Sequence, residues 1–385
     1  MRKIVLAPDS FKESMTALQA AQAMQRGVQQ VHPDAECVLV PMADGGEGTT
    51  GAIVDALGGR LLDVPTTDAL GRPILGTIGL IEAKSTVVLE VASSVGINLI
   101  APKERNVELA TSRGVADLIT SALETGTKRL IVGLGGSVTN DGGAGMLTGL
   151  GARLLDADGN ELPPQPRALK HVDRIDLSKL DPRLSRVQID LACDVPNPLL
   201  GPEGATAVFG PQKGASPEQI PHLDHALEVY AKALERAVGH QVRDHKSAGA
   251  AGGIGFALLA LGAHQRQGVE LVAEAVGLRE QLEGAVLVLT GEGAIDAQTL
   301  SGKTPAGVAH LAHAANIPVI AFAGRVDPSA DALLDHGFIA IVPILQAVSD
   351  LNTALTKAPE NLERSVATCM RLLAAGEAWG NSCPT

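Results

Sequence analysis

Carboxylates recur inside or just after glycine-rich turns in this chain. Asp44 and Glu47 stand in Asp44-Gly45-Gly46-Glu47-Gly48, Asp141 in the stretch from Gly133 to Gly143, and Glu292 and Asp296 in Gly291-Glu292-Gly293-Ala294-Ile295-Asp296. Asp9 closes the first apolar run, and a further glycine cluster runs from Gly249 to Gly255. Glycine lets backbone amides approach an anion closely, and a helix N-terminus after such a turn adds favourable partial charge. Phosphate is the natural guest. One such turn could equally cap a helix; several together point to a ligand. Carboxylates beside phosphates suit Mg²⁺, which takes carboxylate oxygen together with substrate phosphate. Zinc is not suggested, because His310 with His313 and His222 with His225 have no third ligand nearby and no HExxH.

The usual phosphate signatures do not fit. The dinucleotide pattern GxGxxG fails at Val138 in the first long turn and at Asp296 in the last. Ser301-Gly302-Lys303-Thr304 has a Walker-like ending, but Ala297 stands where the first glycine is required and Pro305 follows. Lys303 still sits beside a capped helix start, where an ammonium could hold a phosphate or simply be solvated. Two further segments read as chemistry. Asp9-Ser10-Phe11-Lys12-Glu13-Ser14 mixes a carboxylate, hydroxyls and a lysine at a strand end. Cys193-Asp194-Val195-Pro196-Asn197-Pro198 sets Asp194 and Asn197 on a proline-fixed turn, where the acid could accept a hydroxyl proton or merely cap the turn.

Apolar runs alternating with helices must carry these turns. Lys3 to Ala7, Glu36 to Val40, Val286 to Thr290, Pro318 to Ala323 and Phe338 to Val342 read as strands. Thr16 with Gln19 forms a capping box for a helix to about Gln30. A helix from Thr304 and an amphipathic tail from Pro359 to Ala375 complete the rhythm. The fold class is α/β: a doubly wound, Rossmann-like parallel-sheet domain built from both chain ends, residues 1–66 and 284–385. A second α/β domain, residues 67–283, is inserted between them, with the ligand expected in the cleft. Its expected elements include strands at Ile74 to Ile81 and Thr86 to Val91, a helix from Val107 to Ala122, and a helix over residues 217–239.

Composition narrows the function. Charged residues are 19%, the net charge is -12 and aromatics are 2%, so a nucleic-acid partner is not expected. No apolar stretch is long enough for a bilayer. Scattered Cys37, Cys193, Cys369 and Cys383 form no CxxC pair, which suits a reducing, cytoplasmic location.

At these motifs the sequence resembles the type-1 glycerate kinase family. The resemblance rests on Ala7 to Ser14, Ala43 to Thr49, Gly135-Gly136-Ser137 with Asn140 to Gly143, and Ala192 to Val195. It continues through Phe209 to Gly214, Gly249 to Gly255 and Thr290 to Gly293, nearly end to end. It implies transfer of the ATP γ-phosphoryl group to D-glycerate with Mg²⁺, giving 2-phosphoglycerate. On that basis Asp194 is expected as general base and Lys12 as the charge that stabilises the transferring group. Asp9, Ser10 and Asn197 are expected to bind glycerate, and Asp44 and Glu47 the metal. Gly135, Gly136, Ser137 and Asn140, with Gly291, Glu292, Gly293 and Lys303, are expected to hold the nucleotide. Two positions depart from the family pattern: Ala294 where a cation is common, and Val138 where a smaller residue is. The alternatives are a kinase for another small hydroxy acid, an inactive glycerate sensor, or a dehydrogenase, the last disfavoured by the failed GxGxxG.

Overall fold

The computed structural model describes residues 2–297, 299 and 302–382. The chain divides into two compact units, Met1–Asp44, Gly51–Leu57 and Val269–Thr385 in one, Gly45–Thr50 and Gly58–Gly268 in the other. No described helix is long and apolar enough to cross a membrane.

Both chain ends build the sheet of the first unit. Strands β1 (Lys3–Leu6), β2 (Glu36–Leu39), β11 (Ala285–Ile295), β12 (Val319–Val326) and β13 (Phe338–Pro343) lie in the order β13-β12-β11-β1-β2. Every pairing is parallel. The inner strands β1, β11 and β12 are covered on both faces over most of their length, which is why they read as continuous branched apolar runs rather than alternating ones. Leu6, Leu289 and Phe322 are fully buried. They share a core with Met24 and Val28 of helix Ala17–Gln29 and with Leu362, Val366 and Met370 of helix Ala358–Ser382. The capping box is formed: the Gln19 amide donates to Thr16 Oγ1 (3.2 Å) and the Thr16 amide to Gln19 Oε1 (2.9 Å). Helix Thr304–Ala314, outside that core cluster, lies against β11 and β12.

The second unit has a mixed sheet. Its strands are β3 (Arg60–Thr67), β4 (Pro73–Ile81), β5 (Thr86–Glu90), β6 (Arg129–Gly133), β9 (Gln188–Ala192) and β10 (His264–Arg266), ordered β10-β9-β6-β5-β4-β3. From β10 to β5 neighbours run parallel; β4 and β3 join antiparallel. A small hairpin, β7 (Arg153–Leu155) with β8 (Arg174–Asp176), stands apart. Leu89, Val132 and Leu191 meet Leu118 of helix Arg113–Glu124, Tyr230 of helix Gln219–Val238 and Phe256 of helix Ile254–Ala260 in one core.

Several elements differ from the sequence expectation. β3 carries Pro65 and was not expected; it is the sheet's edge strand, where a missing N–H is tolerated. Its pairing with β4 starts the second unit ahead of residue 67. Helix Leu278–Leu282 belongs to the first unit rather than to the insert. The helix expected from Val107 begins only at Arg113, since the Thr111 amide donates to Ala69 O (2.9 Å) and the Ser112 amide to Asp141 Oδ2 (2.7 Å). Gly291-Glu292-Gly293 is not a loop after β11 but its continuation, paired to β12 from Gly291↔Phe322 to Ile295↔Val326. A side chain at Gly291 would collide with the Phe322 carbonyl, so that glycine serves strand approach.

Candidate active site

In the second unit the glycine turns meet, and they meet backbone to backbone. A Cβ on Gly135 would lie 3.1 Å from Gly46 Cα, and one on Gly45 would lie 2.9 Å from Ala192 Cβ at the end of β9. One on Gly253 would lie 2.6 Å from Gly142 Cα, and one on Gly252 would collide with the Thr139 carbonyl. The Gly142 amide donates to Gly252 O at 2.9 Å, and the Gly249 amide to Asn197 O at 3.0 Å. The turns around Gly45, Gly133–Gly143 and Gly249–Gly255 are therefore one assembly within this unit.

The helix starts in that assembly are already filled by carboxylates. Asp141, fully buried, accepts from the amides of Gly143 and Gly145 (both 3.1 Å) ahead of helix Ala144–Gly149. It also accepts from the Ser112 amide (2.7 Å) and hydroxyl (2.8 Å). Burial raises its pKa, and those donors oppose the rise. Glu90 accepts from Gly48 N (3.2 Å) and Thr50 N (2.8 Å) at the start of helix Thr49–Leu57, and Asp194 Oδ1 from Gly268 N (3.0 Å). Anion-seeking amides thus remain on offer at the turn itself, where Gly136 is exposed with φ +69° and Gly135 is half-buried. Ser137 and Asn140 turn inward instead. Ser137 Oγ accepts from Lys213 Nζ (3.3 Å), and Asn140 Nδ2 donates to Thr206 Oγ1 (3.0 Å). Asp194 is exposed beyond β9, while Asn197 donates its amide to Glu203 O at 2.7 Å.

In the first unit acids crowd together. Asp9, 8% exposed, accepts from the Ser10 amide (2.6 Å) and from Thr304 Oγ1 (2.5 Å). Burial, and then the Asp44 charge, push its pKa up to about 6. Glu292 accepts from Thr299 Oγ1 (3.0 Å) and has Lys303 Nζ at 3.7 Å; burial, with Asp9 and Asp44 adding to it, pushes it to about 7. Lys303 also reaches Asp296 (3.8 Å). Its two acids flank Ala294 in the sequence, while Arg325, paired in register with Ala294, is exposed. Ser10 is half-buried, and the exposed Lys12 has its backbone amide 3.6 Å from where a Gly293 Cβ would be. Of the expected metal pair, Asp44 groups electrostatically with Asp9 and Glu292, and Glu47 with Glu90.

Sequence reasoning passed over Glu90, gave Lys213 no role beyond its place in the stretch Phe209 to Gly214, and counted Asp141 only among the acids that suit Mg²⁺. The Asn140-Asp141-Gly142-Gly143 run did carry a signal for Asp141, since Asp ahead of a helix is a capping residue. Nothing in sequence pairs Glu90 with Thr50.

Residues 4–374 match the model of the glycerate kinase family. The chain is 46% identical over 364 residues to the glycerate kinase of Bacillus subtilis (strain 168), covering 94% of this chain and 95% of that protein. It is 43% identical over 375 residues to the glycerate 2-kinase of Escherichia coli (strain K12), covering 97% and 98%. A crystal structure described as glycerate kinase 2 from Salmonella typhimurium LT2 aligns with a TM-score of 0.89 at 44% identity, covering 98% of this chain and 99% of that one. Fold and relatives together define a kinase. The chain belongs to the glycerate kinase family.

Two stability measurements check this geometry. Gly252→Ala, at φ +67° against Thr139, is expected to cost on the order of 2–3 kcal/mol in urea unfolding; a loss below about 0.5 kcal/mol would contradict the backbone packing. Asp9 and Glu292 hold their protons to higher pH folded than unfolded. Their stabilising contribution is thus complete below roughly pH 4 and is lost as pH rises through about 6 and 7. Glu292→Gln should accordingly gain roughly 3 kcal/mol on the parent between about pH 5 and pH 8 without divalent ions. An equal difference at both pH values would rule out the raised carboxyl.

Proposed function

We propose that this chain transfers the γ-phosphoryl group of ATP to a hydroxyl of D-glycerate, giving 2-phosphoglycerate. Family membership carries the reading. The structural observation that supports it is the exposed Gly135-Gly136 turn, whose neighbouring helix starts are closed to anions by Asp141 and Glu90.

Phosphoryl transfer asks a protein mainly for positioning and charge stabilisation. In the second unit Gly135 and Gly136 cradle nucleotide phosphate with backbone amides, and Ser137 and Asn140 shape the turn from inside. Asp194, its orientation fixed through Gly268 N, accepts the proton of the attacking hydroxyl, and Asn197 helps place glycerate. In the first unit Lys12 stabilises the transferring group, and Asp9 and Ser10 bind glycerate. Lys303 beside Gly291-Glu292-Gly293 holds phosphate. The acids fit Mg²⁺: buried like charges with raised proton affinity are relieved by a cation. Among the described residues no three metal-ligating side chains form a cage, and Mg²⁺ needs only one or two carboxylates besides phosphate. Asp44 and Glu47 are the carboxylates assigned to it. When bound, Mg²⁺ supplies neutralisation of the phosphate charge.

A second reading places the proton acceptor at Glu292, because its pKa of about 7 suits proton transfer at neutral pH. Incubation with ATP, Mg²⁺ and D-glycerate should yield 2-phosphoglycerate by phosphorus NMR. The 3-isomer would correct the regiochemistry, and absence of any phosphoglycerate would overturn the proposal. Asp194→Asn should lower kcat by roughly a hundredfold, about 3 kcal/mol of barrier. If it retains most turnover while Glu292→Gln loses it, the second reading stands.

A further inference from the structure

Beneath the Gly135-Gly136 turn lies a buried ammonium that the roles above leave unused. Lys213 is 2% exposed, and its Nζ donates to Thr139 O (2.8 Å) and to Ser137 Oγ (3.3 Å). It thereby holds the turn's inner side at two points. A lysine is seldom buried without a carboxylate bonded to it, since taking a charge out of water is costly unless it is paired. Here the carboxylate of Asp141 acts through its field rather than by a bond to Nζ, and its own oxygens are engaged by Ser112, Gly143 and Gly145. A neutral side chain would fill the same space at less cost, so the charge calls for a purpose that packing does not supply.

We propose that Lys213 is a positioning residue for nucleotide phosphate. Its ammonium fixes the Ser137–Thr139 backbone and lends the exposed turn a positive charge, so that phosphate binding and protonation of Lys213 reinforce each other. This rests on the reading of the Gly135-Gly136 turn as the phosphate seat. Desolvation lowers the lysine's pKa to about 7, with Asp141 opposing the shift. Near neutral pH the empty protein therefore holds Lys213 partly deprotonated, and an anion at the turn draws the missing fraction of a proton from solvent onto Nζ. The other groups around it are set. Arg105 donates to Gln212 O (3.0 Å) and lies against Gly214, and Tyr230, buried beside Asp141, keeps its proton well above the usual phenol range.

Calorimetry of Mg-ADP binding decides it, in buffers of different ionisation enthalpy between about pH 6 and pH 8.5, with thermal melting to confirm folding. The parent should take up a fraction of a proton near pH 8, and its affinity should fall by up to about tenfold per pH unit above pH 7. Lys213→Met, apolar and similar in length, should bind on the order of tenfold more weakly at about pH 6, without that slope. Lys213→Arg keeps a charge at every pH, so it should bind without proton uptake, and it decides the matter if Lys213→Met does not fold. Unchanged affinity and an unchanged pH profile in Lys213→Met, or parent-like uptake in Lys213→Arg, would overturn the inference. Gly136→Asp against Gly136→Asn separates this from failure of the seat itself. If the added charge at the exposed turn leaves Mg-ADP affinity unaltered, the seat is elsewhere and both readings fall. If it weakens binding while both Lys213 variants match the parent, only the role of Lys213 falls.

Discussion

Direct contact of main chain with main chain is the constraint on which the second unit's working surface depends. Gly252 against Thr139 and Gly253 against Gly142 leave no room for even a methyl group, and Gly135 against Gly46 would take one only by moving its neighbour. Turns this close cannot drift independently, because each shift would break a neighbour's contact or the bond from Gly142 N to Gly252 O. Asp141 makes the arrangement affordable: a carboxylate with no solvent accepts the amides and hydroxyl that converge on it. What emerges is a rigid platform that faces outward at Gly136 and the edge of Gly135, and again at Glu47 and Gly48, where the Gly48 amide is already taken by Glu90.

The two units manage negative charge differently. In the second, Asp141, Glu90 and Asp194 each accept backbone amides near helix starts, and for Asp141 and Glu90 these bonds oppose the rise in proton affinity that burial causes. In the first, burial and the Asp44 charge raise the proton affinity of Asp9, burial with Asp9 and Asp44 raises that of Glu292, and Lys303 offsets only part of the rise at Glu292. Frustration of that kind costs stability and persists where a ligand resolves it. A cation or a proton would resolve it, and phosphoryl transfer has a use for either.

Much of the fold could be read from the chain alone, for physical reasons that individual elements make plain. Branched apolar runs such as Lys3–Leu6 and Val319–Val326 have little alternative to a parallel strand covered on both faces, and Thr16 with Gln19 announces its helix. Polar or proline-bearing edges were harder. β10 (His264–Arg266) has no apolar signal, and Pro65 argues against a strand unless the strand is known to be an edge. At the site, the glycine turns were legible because glycine marks close approach, and their meeting in the second unit follows. Direction was not legible. Nothing in Ser137 or Asn140 says that they point inward, and nothing in Gly291-Glu292-Gly293 says that the strand runs on through it. Lys213 shows the limit most clearly, since a lysine in a glycine-rich stretch reads as solvated until the fold encloses it.

Hydrogen–deuterium exchange of the intact protein with and without saturating Mg-ADP tests the platform as a phosphate seat most directly. Backbone amides that grip phosphate must exchange more slowly when it is bound, so the peptide spanning Gly135 to Ser137 should show the largest new protection. Full occupancy with no change there, and protection confined to other segments, would contradict the assignment.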